Sequence, residues 1–542
     1  MRDIYYLGLV SSSFLMMNCC TNRQVEIYKR PNILLVINDD QSFGHTSFNG
    51  CSFVNTPGFD RVAQNGIYFS NCYAGSPGSA PSRSSLVTGR YPWQNEQSGQ
   101  HASSWMKKFI PFVDLLSSGG YYTGYTGKGV APFLYRTNKS DSLLRESNAA
   151  GKEFNRYKYN VGDNDKRTAT GISPINYYAN FVDFMQQRKN GEPFYFWYGS
   201  FEPHRNYEKD SWIRNKKVQA EVKTPGFLPD SSVVKGDLLD YAVEIEWADM
   251  HLCKMLNYLD SIGELHNTIV LVMSDNGMPF PRAKANCFEY GAHVPLAISY
   301  PDGFPKNRII DDLVSFVDIA PTLLEMANID DEGMLPISGR SMVDILKSDK
   351  SGFVDSSREF VYMGRERHSS SRWHNLGYPQ RAIRYSDFLL IWNMKPELWP
   401  AGDPQSIDAA TGNLHPRLGL DSNGKFHEGW AFTDVDDSPT NTFLIEKYKD
   451  PDIFPLFKLA YSQRPEYELY DVKGDPYCLN NLIGNKEYSD KEQKMKEALW
   501  RELEKSGDPR VVGPDQDIFD KYIRYSFMRE FPCQVPDMSD IF

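Results

Sequence analysis

The chain has 542 residues, of which 41% are hydrophobic and 24% are charged, values that are ordinary for a globular protein. This length is enough for one large domain and a smaller one. The formal net charge of -11 argues against a general nucleic-acid-binding protein, which would be basic overall. An anionic ligand therefore requires a local cluster of cationic side chains.

The N-terminal segment, residues 1–20, has the features of an export signal. Arg2 precedes the apolar stretch YYLGLVSSSFLMM, which is too short to span a membrane. Cys19 and Cys20 follow closely, and a cysteine in that place is typical of a lipoprotein signal, in which it is lipidated after cleavage. A plain secretory signal is the alternative. In both cases we expect an exported protein, either periplasmic or anchored to the membrane through a lipid.

Predicted strands alternate with predicted helices along roughly the next 300 residues, a length that corresponds to one large domain. Three apolar runs are predicted to be strands buried in a parallel sheet: PNILLVINDD (31–40), FYFWYGSFEPH (194–204) and NTIVLVMSDNG (267–277). The segments 239–263 and 317–329 have helical periodicity. This order predicts an α/β sheet with helices on both faces, in which ligands bind beyond the carboxyl ends of the strands.

The composition of the chain changes after about residue 380, which predicts a second domain. RAIRYSDFLLIWN (381–393) is predicted to form an antiparallel strand pair, and EYELYDVKGDPYCLNNL (466–482) a strand and a turn. SDKEQKMKEALWRELEKSG (489–507) has the pattern of a charged amphipathic helix. We therefore expect a catalytic α/β domain at 30–378 and a smaller C-terminal α+β subdomain at 379–542.

Polar residues at the ends of two predicted strands suit a hard divalent cation. Asp39 and Asp40 end the first run, and Asp275 and Asn276 end the third. Each pair alone is more often a turn or a helix cap. Together, at strand ends of one α/β domain, they favour a metal site, and their oxygen donors favour Ca²⁺ or Mg²⁺ over zinc.

The segment GSPGSAPSRSSLVTGR, residues 75–90, raises the question of whether one of its serines carries chemistry. SAPSR begins at Ser79, and TG follows at Thr88 after four intervening residues. This arrangement resembles the pattern C/S-x-P-S-R-x-x-x-x-T-G of the type I sulfatases, in which the cysteine or serine is oxidised after translation to formylglycine. The stretches TPGFDRVAQNGIYFSNCY, TIVLVMSDNG, VDIAPTLLEMANI and ELYDVKGDP also resemble that family and occur in its order.

The resemblance covers nearly the whole chain after the signal segment, and it implies a fold, a modification and a partner. The fold is the alkaline-phosphatase-like sulfatase fold, a large mixed sheet sandwiched by helices with a smaller C-terminal α+β domain. Ser79 would become formylglycine (3-oxoalanine), and the serine form implies a radical-SAM sulfatase-maturing enzyme. An unmodified serine could attack sulfur only once and would leave a stable sulfate ester.

The resemblance also implies roles for the charged residues around Ser79. The hydrated aldehyde would attack sulfur with one hydroxyl and eliminate sulfate with the other, while Arg83, one helical turn on, holds the diol. Ca²⁺, or else Mg²⁺, would polarise the diol and neutralise sulfate charge in the transition state. The metal ligands implied are Asp39, Asp40, Ser79, Asp275 and Asn276.

Two lysines and a histidine are implied to act on the sulfate and on the leaving group. Lys128 matches the lysine of the family stretch G-K-x-H, and Lys284 stands where a cationic residue grips the sulfate. His204 matches the histidine that protonates the leaving group, which suits an imidazole near neutral pH. The histidine of G-K-x-H is missing, because Val130 occupies its place. His101 is a candidate for that role, or else an ordinary loop histidine.

Three stretches resemble the heparan N-sulfatase branch of the family, the N-sulfoglucosamine sulfohydrolases and their bacterial relatives. They are PHR (203–205), SDNGMPFPRAK (274–284) and GRERHSSSRWHNLGYPQRAIR (364–384). The last is either a solvated basic loop or a rim that recognises an acidic sugar. The resemblance implies hydrolysis of N-sulfoglucosamine at the non-reducing end of heparin or heparan sulfate fragments. The candidate substrate-binding residues are His101, Arg205, Arg367 and His368.

Three other functions are compatible with parts of this pattern. An O-sulfatase acting on another sulfated polysaccharide or glycosaminoglycan would share the whole site. A phosphatase or phosphonate hydrolase could share the fold, but the Pro81-Ser82-Arg83 context disfavours it. The missing histidine is compatible with a glycan-binding lipoprotein that has lost catalytic activity.

Overall fold

The computed structural model describes residues 30–101, 103–136, 141–162, 165–368, 372, 374, 376–404 and 432–523. The expected export signal and the cysteines of a lipid anchor lie outside the described residues. Within the described part of the chain, no helix combines the length and the apolar character that crossing a bilayer requires.

The described strands form one large sheet, one small sheet and a short pair. In chain order they are β1 (Asn32–Asn38), β2 (Ile67–Tyr73), β3 (Ser103–Ser104), β4 (Tyr122–Gly127), β5 (Phe133–Leu134), β6 (Phe194–Gly199), β7 (Thr268–Ser274), β8 (His293–Ser299), β9 (Arg308–Ile310), β10 (Val314–Ser315), β11 (Phe360–Arg365), β12 (Gln380–Tyr385), β13 (Phe388–Asn393) and β14 (Tyr467–Asp471).

The described α-helices range from single turns to one very long helix, α6. They are α1 (Pro57–Gln64), α2 (Ser79–Thr88), α3 (Phe112–Ser118), α4 (Tyr177–Gln187), α5 (Ser211–Arg214), α6 (Ser232–Ser261), α7 (Glu289–Ala292), α8 (Ile319–Ala327), α9 (Val343–Lys347), α10 (Pro439–Glu446), α11 (Phe454–Tyr461), α12 (Ser489–Ser506), α13 (Pro509–Val512) and α14 (Ile518–Lys521).

The large sheet is mixed, and its central strands come from the three predicted apolar runs. Its strand order is β10-β2-β8-β7-β1-β6-β4, with β9 paired to β2. β1 runs parallel to both β6 and β7, whereas β8 is antiparallel to β7 and β2. Because β1, β6 and β7 are parallel, their carboxyl ends reach the same edge of the sheet.

Helices cover both faces of this sheet, as the alternating pattern predicts. On one face Ile33, Leu35 and Ile37 of β1 pack in a cluster with residues of α2, α3 and α8. On the other face Leu34 and Val36 pack with residues of α1, α4 and α6. The continuous apolar run of β1 is thereby buried on both sides, which explains why it lacks the alternation of a half-exposed strand.

The small sheet is antiparallel, with the order β11-β12-β13-β14, and α12 packs on one of its faces. The predicted strand pair at 381–393 is confirmed as β12 and β13. β11 lies upstream of the predicted domain boundary at residue 379, yet it pairs with β12. The small sheet therefore begins earlier in the chain than the change in composition indicates.

Candidate active site

The two carboxylates after β1 and the Asp-Asn pair after β7 meet at one edge of the large sheet. Asp39, Asp40 and Asp275 each offer a buried carboxylate oxygen, and these atoms lie within 4.8 Å of one another. Asn276 Nδ2 donates a hydrogen bond of 2.7 Å to Asp40 Oδ1. The φ of Asp40 is 76°, a left-handed conformation that is uncommon outside glycine and is concentrated at functional sites. We call these four residues the oxygen cluster.

Ser79 lies beside the oxygen cluster, at the first position of α2. Its Oγ donates to Asp39 Oδ1 at 2.9 Å and lies 3.3 Å from Asn276 Oδ1. Every residue of α2 is buried, so the positive end of its dipole acts inside the protein rather than in water. This environment favours an anion next to Ser79.

Lys128 reaches the oxygen cluster from the end of β4. Its Nζ donates to both oxygens of Asp39, at 2.8 and 2.6 Å. The preceding Gly127 has a φ of 76°, and a Cβ there would lie 1.9 Å from the carbonyl oxygen at the end of β6, so only glycine fits. Burial opposes ionisation of Asp39, but the charges of Lys128, His204 and Arg83 hold its pKa well below the ordinary value.

Arg83 and Lys284 pair with the other two carboxylates of the cluster. Arg83 Nε donates to Asp275 Oδ2 at 2.9 Å, and Lys284 Nζ donates to Asp40 Oδ2 at 2.7 Å. Burial, followed by repulsion from Asp39, raises the pKa of Asp275 to about 6. Three cations thus face three carboxylates, which is how buried charges of this kind are held.

The donors of the oxygen cluster fit a hard divalent cation. They are carboxylate and amide oxygens, all buried, with no sulfur or imidazole among them. Such a set favours Ca²⁺ or Mg²⁺ over zinc. When bound there, the ion would act as a Lewis acid on an oxygen of the reacting group. The residues that would hold it are Asp39, Asp40, Asp275 and Asn276.

His204 lies at the open side of the oxygen cluster, on the loop after β6. Its Nε2 is 3.9 Å from Asp40 Oδ2, and 38% of its side chain is exposed. Its Nδ1 contacts the carbonyl oxygen of Arg205 at 2.6 Å. Because a carbonyl can only accept, Nδ1 carries a proton, and Nε2 is the nitrogen that can exchange a proton with a ligand at the cluster.

Arg205, a candidate sugar-binding residue, pairs with a carboxylate inside the protein and also lines a cavity beside His204. Its side chain is 3% exposed, and its two terminal nitrogens donate to the two oxygens of Asp237 at 2.7 and 2.9 Å. Its guanidinium carbon lies 4.4 Å and 4.5 Å from the ring centres of Tyr207 and Phe280. A buried guanidinium needs such a carboxylate, and this pair holds the loop that carries His204.

The described arginines of the basic segment, which begins at the end of β11, are buried and do not form an exposed rim. Arg365 and Arg372 each place a nitrogen 2.7 Å from Asp434 Oδ2, and all three side chains are buried. We call this trio the arginine clasp. Arg367 is also buried, and its NH2 group donates to Ser103 Oγ at 3.1 Å. These arginines were expected to line the surface, but in the structure they are buried. A buried guanidinium is stable only when it is paired with acceptors inside the protein, and these side chains have such acceptors.

Comparison with protein families places this site in a known context. Residues 31–329 match the family described as Sulfatase, and residues 283–403 match the one described as N-sulphoglucosamine sulphohydrolase, C-terminal. The chain belongs to the sulfatase family. It is therefore a hydrolase of sulfate esters or sulfamates, and the predicted α/β sulfatase fold is confirmed.

Curated relatives of the sulfatase match it over most of its length. The human N-sulphoglucosamine sulphohydrolase is 24% identical over 527 residues, covering 89% of this chain and 92% of that protein. An N-acetylglucosamine-6-O-sulfatase of Bacteroides thetaiotaomicron is 24% identical over 565 residues, covering 89% and 87%. An ulvan-active sulfatase of Formosa agariphila is 25% identical over 528 residues, covering 92% and 78%.

Solved structures share the fold of the sulfatase at lower identity. One, a structure in complex with its substrate D-glucosamine-2-N,6-O-disulfate, is similar with a TM-score of 0.61 and 20% identity, covering 90% of this chain and 99% of that one. The phosphonate monoester hydrolase of Agrobacterium radiobacter is similar with a TM-score of 0.60 and 15% identity, covering 89% and 97%. The fold alone therefore accommodates more than one chemistry.

The sulfatase brings an imidazole to its serine from an unexpected part of the chain. Val130, at the place of the missing family histidine, lies in the hydrophobic core. A Cβ added to Gly78 would lie 3.2 Å from His368 Nδ1, so this ring lies against the residue before Ser79. The ring of His101 packs on it, with centres 5.2 Å apart. Burial lowers the pKa of His368 to about 3, which keeps the imidazole neutral.

Asp436 is a residue of the site that the sequence analysis missed. Its Oδ2 accepts a hydrogen bond of 3.1 Å from Lys284 Nζ, and 27% of its side chain is exposed. Burial alone would raise the pKa of Asp436, but the charges of Lys284, His204 and His368 lower it more. The net result is a pKa far below the ordinary value. The only sequence signal is the acidic stretch TDVDDS at 433–438, which no local pattern connects to the strand ends.

Proposed function

We propose that the sulfatase removes sulfate from sulfated glycans and that it prefers N-sulfoglucosamine at the non-reducing end of heparin or heparan sulfate fragments. The observation that carries the N-sulfate preference is the match of residues 283–403 to the C-terminal region of N-sulphoglucosamine sulphohydrolases. That range contains Lys284, which contacts the oxygen cluster, and His368, which lies against Gly78 next to Ser79, so it includes residues that would touch the substrate.

Ser79 is the proposed nucleophile, in its formylglycine form. Its Oγ lies against Asp39 and Asn276, so a hydroxyl of the hydrated aldehyde would start within the oxygen cluster. Arg83 lies one turn further along the same helix and contacts Asp275, which fixes its guanidinium close to the reacting group. The modification supplies a second hydroxyl, through which sulfate can be eliminated and the aldehyde restored.

The two lysines are the proposed sulfate ligands. Lys128 and Lys284 approach from β4 and from the loop after β7, and each now donates to a carboxylate of the cluster. Such charge-assisted contacts gain strength in a buried site, where water does not compete. A bound cation would compensate the same carboxylates and release both ammonium groups toward the substrate.

His204 is the proposed acid for the leaving group. An amine or an alkoxide leaves sulfur poorly unless it is protonated as the bond breaks, and an imidazole is suited to that transfer near neutral pH. The contact of Nδ1 with the Arg205 carbonyl leaves Nε2 as the donor, on the side of the ring that approaches Asp40. The buried pair of Arg205 with Asp237 would keep this ring in place.

Export and maturation complete the proposal. We infer that residues 1–20 direct the chain out of the cytoplasm, with Cys19 or Cys20 as a lipid anchor. A radical-SAM maturase would oxidise Ser79 before folding closes the site, since that side chain is 2% exposed in the folded protein.

An O-sulfatase is the second candidate, because an N-acetylglucosamine-6-O-sulfatase is as similar in identity as the N-sulphoglucosamine sulphohydrolase. The two are separated with the maturase-coexpressed protein and two heparin-derived disaccharides, one carrying only an N-sulfate and one only a 6-O-sulfate. We expect faster sulfate release from the first. Release from the second alone would overturn the N-sulfate preference and leave the sulfatase assignment in place.

A further inference from the structure

A cavity of about 410 Å³ lies beside His204 and is separate from the oxygen cluster. Its volume falls within the range of small-molecule sites. None of the cluster residues lines it, but His204 does, so this imidazole borders both spaces. Its walls include Lys158, Phe201, Glu202, His204, Arg205 and Glu244.

Glu244 is the feature of this cavity that the protein itself does not explain. It belongs to the middle of α6, and only 2% of the residue is exposed. Its Oε1 is buried and accepts no hydrogen bond within the described structure. A buried polar atom without a partner is unfavourable by comparison with a paired one, and native structures contain few of them. Because Glu244 also lines the cavity, a ligand there would give this carboxyl group a hydrogen-bond partner.

The neighbouring carboxyl shows what a satisfied group in the same place looks like. Glu202 accepts a hydrogen bond of 2.8 Å from the backbone N–H of Ser173 and one of 2.7 Å from the hydroxyl of Tyr177. Burial, with Glu202 as the next cause, raises the pKa of Glu244 well above the ordinary value. This shift favours the neutral form of Glu244, which can both donate and accept a hydrogen bond.

The remaining walls suit a sugar that carries an anionic group. Phe201 is a large apolar side chain with 39% exposure, although most aromatic rings of this protein are buried. Lys158 is exposed and brings a positive charge to the same cavity. An apolar surface with a few converging polar groups is the usual composition of a ligand site.

We propose that this cavity is a second sugar subsite, on the leaving-group side of His204. A hydroxyl of the second ring bonds to Glu244, an apolar face of that ring packs on Phe201, and its carboxylate or sulfate pairs with Lys158. The inference rests on the proposed function, because His204 protonates the leaving group and the glycan beyond the broken bond extends past this imidazole.

The test compares a monosaccharide with a disaccharide that has the same sulfated ring and a uronate as the second ring. The ratio of their kcat/KM values isolates the subsite, because both substrates use the same sulfate-binding groups. Glu244→Leu should lower the disaccharide-to-monosaccharide ratio about tenfold, as expected for one lost hydrogen bond of a buried group. Glu244→Gln, which can still donate and accept, should keep most of the ratio.

Two measurements separate a subsite from a structural role. Glu244→Leu should melt at or above the temperature of the wild type, because it removes a buried carboxyl that has no partner. Glu246→Leu is the matched control, since Glu246 lies two residues along the same helix and pairs with Lys217 at 2.6 Å outside the cavity. It should leave the substrate ratio unchanged.

An unchanged disaccharide-to-monosaccharide ratio in Glu244→Leu, including an equal loss of activity on both substrates, would overturn the subsite. These outcomes differ from a failure of the proposed function, which would show as a wild-type enzyme that ignores N-sulfated sugars. In that case the same ratio is measured with the monosaccharide and disaccharide forms of whichever sulfated sugar the wild type hydrolyses. A Glu244→Leu protein that fails to fold is replaced by Lys158→Ala, for which a fall in the ratio is again expected.

Discussion

The oxygen cluster and the arginine clasp both gather buried charges, but they use them differently. In the clasp, Arg365 and Arg372 end on the single carboxylate of Asp434, and nothing in the trio faces an open space. At the oxygen cluster, the carboxylates and their lysines surround Ser79, and His204 leaves one side open. Buried charge alone therefore does not mark an active site; charge arranged around a nucleophile and an opening does.

The largest effect is expected from breaking the oxygen cluster at its most connected residue. Asp39→Asn removes a charge that Lys128, Arg83 and the proposed cation share. We expect kcat/KM to fall roughly a thousandfold, in keeping with a loss of several kcal/mol of electrostatic stabilisation. Metal content measured on the purified protein should fall in parallel. An active Asp39→Asn protein that contains no metal would contradict the proposed role of the cluster.

Breaking the arginine clasp should instead affect stability. Asp434→Ala leaves Arg365 and Arg372 buried without their carboxylate, and such a loss typically destabilises a protein by about 3 kcal/mol or more. Chemical denaturation should therefore show a lower midpoint. Turnover of a small aryl sulfate per folded molecule should stay close to that of the wild type. A stable Asp434→Ala protein with poor glycan turnover would instead assign these arginines to sugar recognition.

A change at His204 sharpens the role of the open side of the cluster. His204→Ala should lower glycan hydrolysis roughly a hundredfold, because general-acid catalysis contributes about that much for a poor leaving group. An aryl sulfate, whose phenolate leaves unaided, should lose less than tenfold on the same scale. The two rates are measured on one preparation, so differences in maturation cancel. Equal losses on both substrates would argue against proton donation by His204.

The smallest effect is expected at Asp436, which lies two residues after Asp434 of the clasp in the chain and contacts Lys284. Its carboxylate is partly exposed and shares Lys284 with Asp40. Asp436→Asn frees that lysine for an anion, so we expect product sulfate to inhibit about fivefold more strongly, equivalent to about 1 kcal/mol for a partly exposed pair. Inhibition constants for sulfate give this directly. Weaker inhibition would mean that Asp436 orients Lys284 rather than competing for it.

The strand ends were predictable from the sequence because their chemistry is local. Asp39 and Asp40 directly follow an apolar run that is predicted to be a buried strand and is one in the structure, and the same holds for Asp275 and Asn276. Because β1 and β7 are adjacent and parallel, their carboxyl ends lie side by side at the same edge of the sheet. The family resemblance added Ser79 and the two lysines, which lie on a helix start and on loops that periodicity does not define.

The arginine clasp and Asp436 were not predictable in the same way. The basic segment has the composition of an exposed loop, and its arginines are buried through contacts far away in the chain, such as those with Ser103 and Asp434. The helix predicted at 239–263 begins at Ser232 in the structure, so the sequence pattern missed its first turns. Long-range pairing of charges follows from tertiary structure, which short patterns do not encode.

The most direct test of the central assignment is sulfate release measured against the modification of residue 79. Protein expressed with and without a radical-SAM maturase gives different fractions of formylglycine, seen as the loss of two hydrogens from the peptide that contains Ser79. We predict that sulfate release rises in proportion to that fraction and is absent in Ser79→Ala, whose fold should be intact. Undiminished sulfate release by Ser79→Ala would contradict the account.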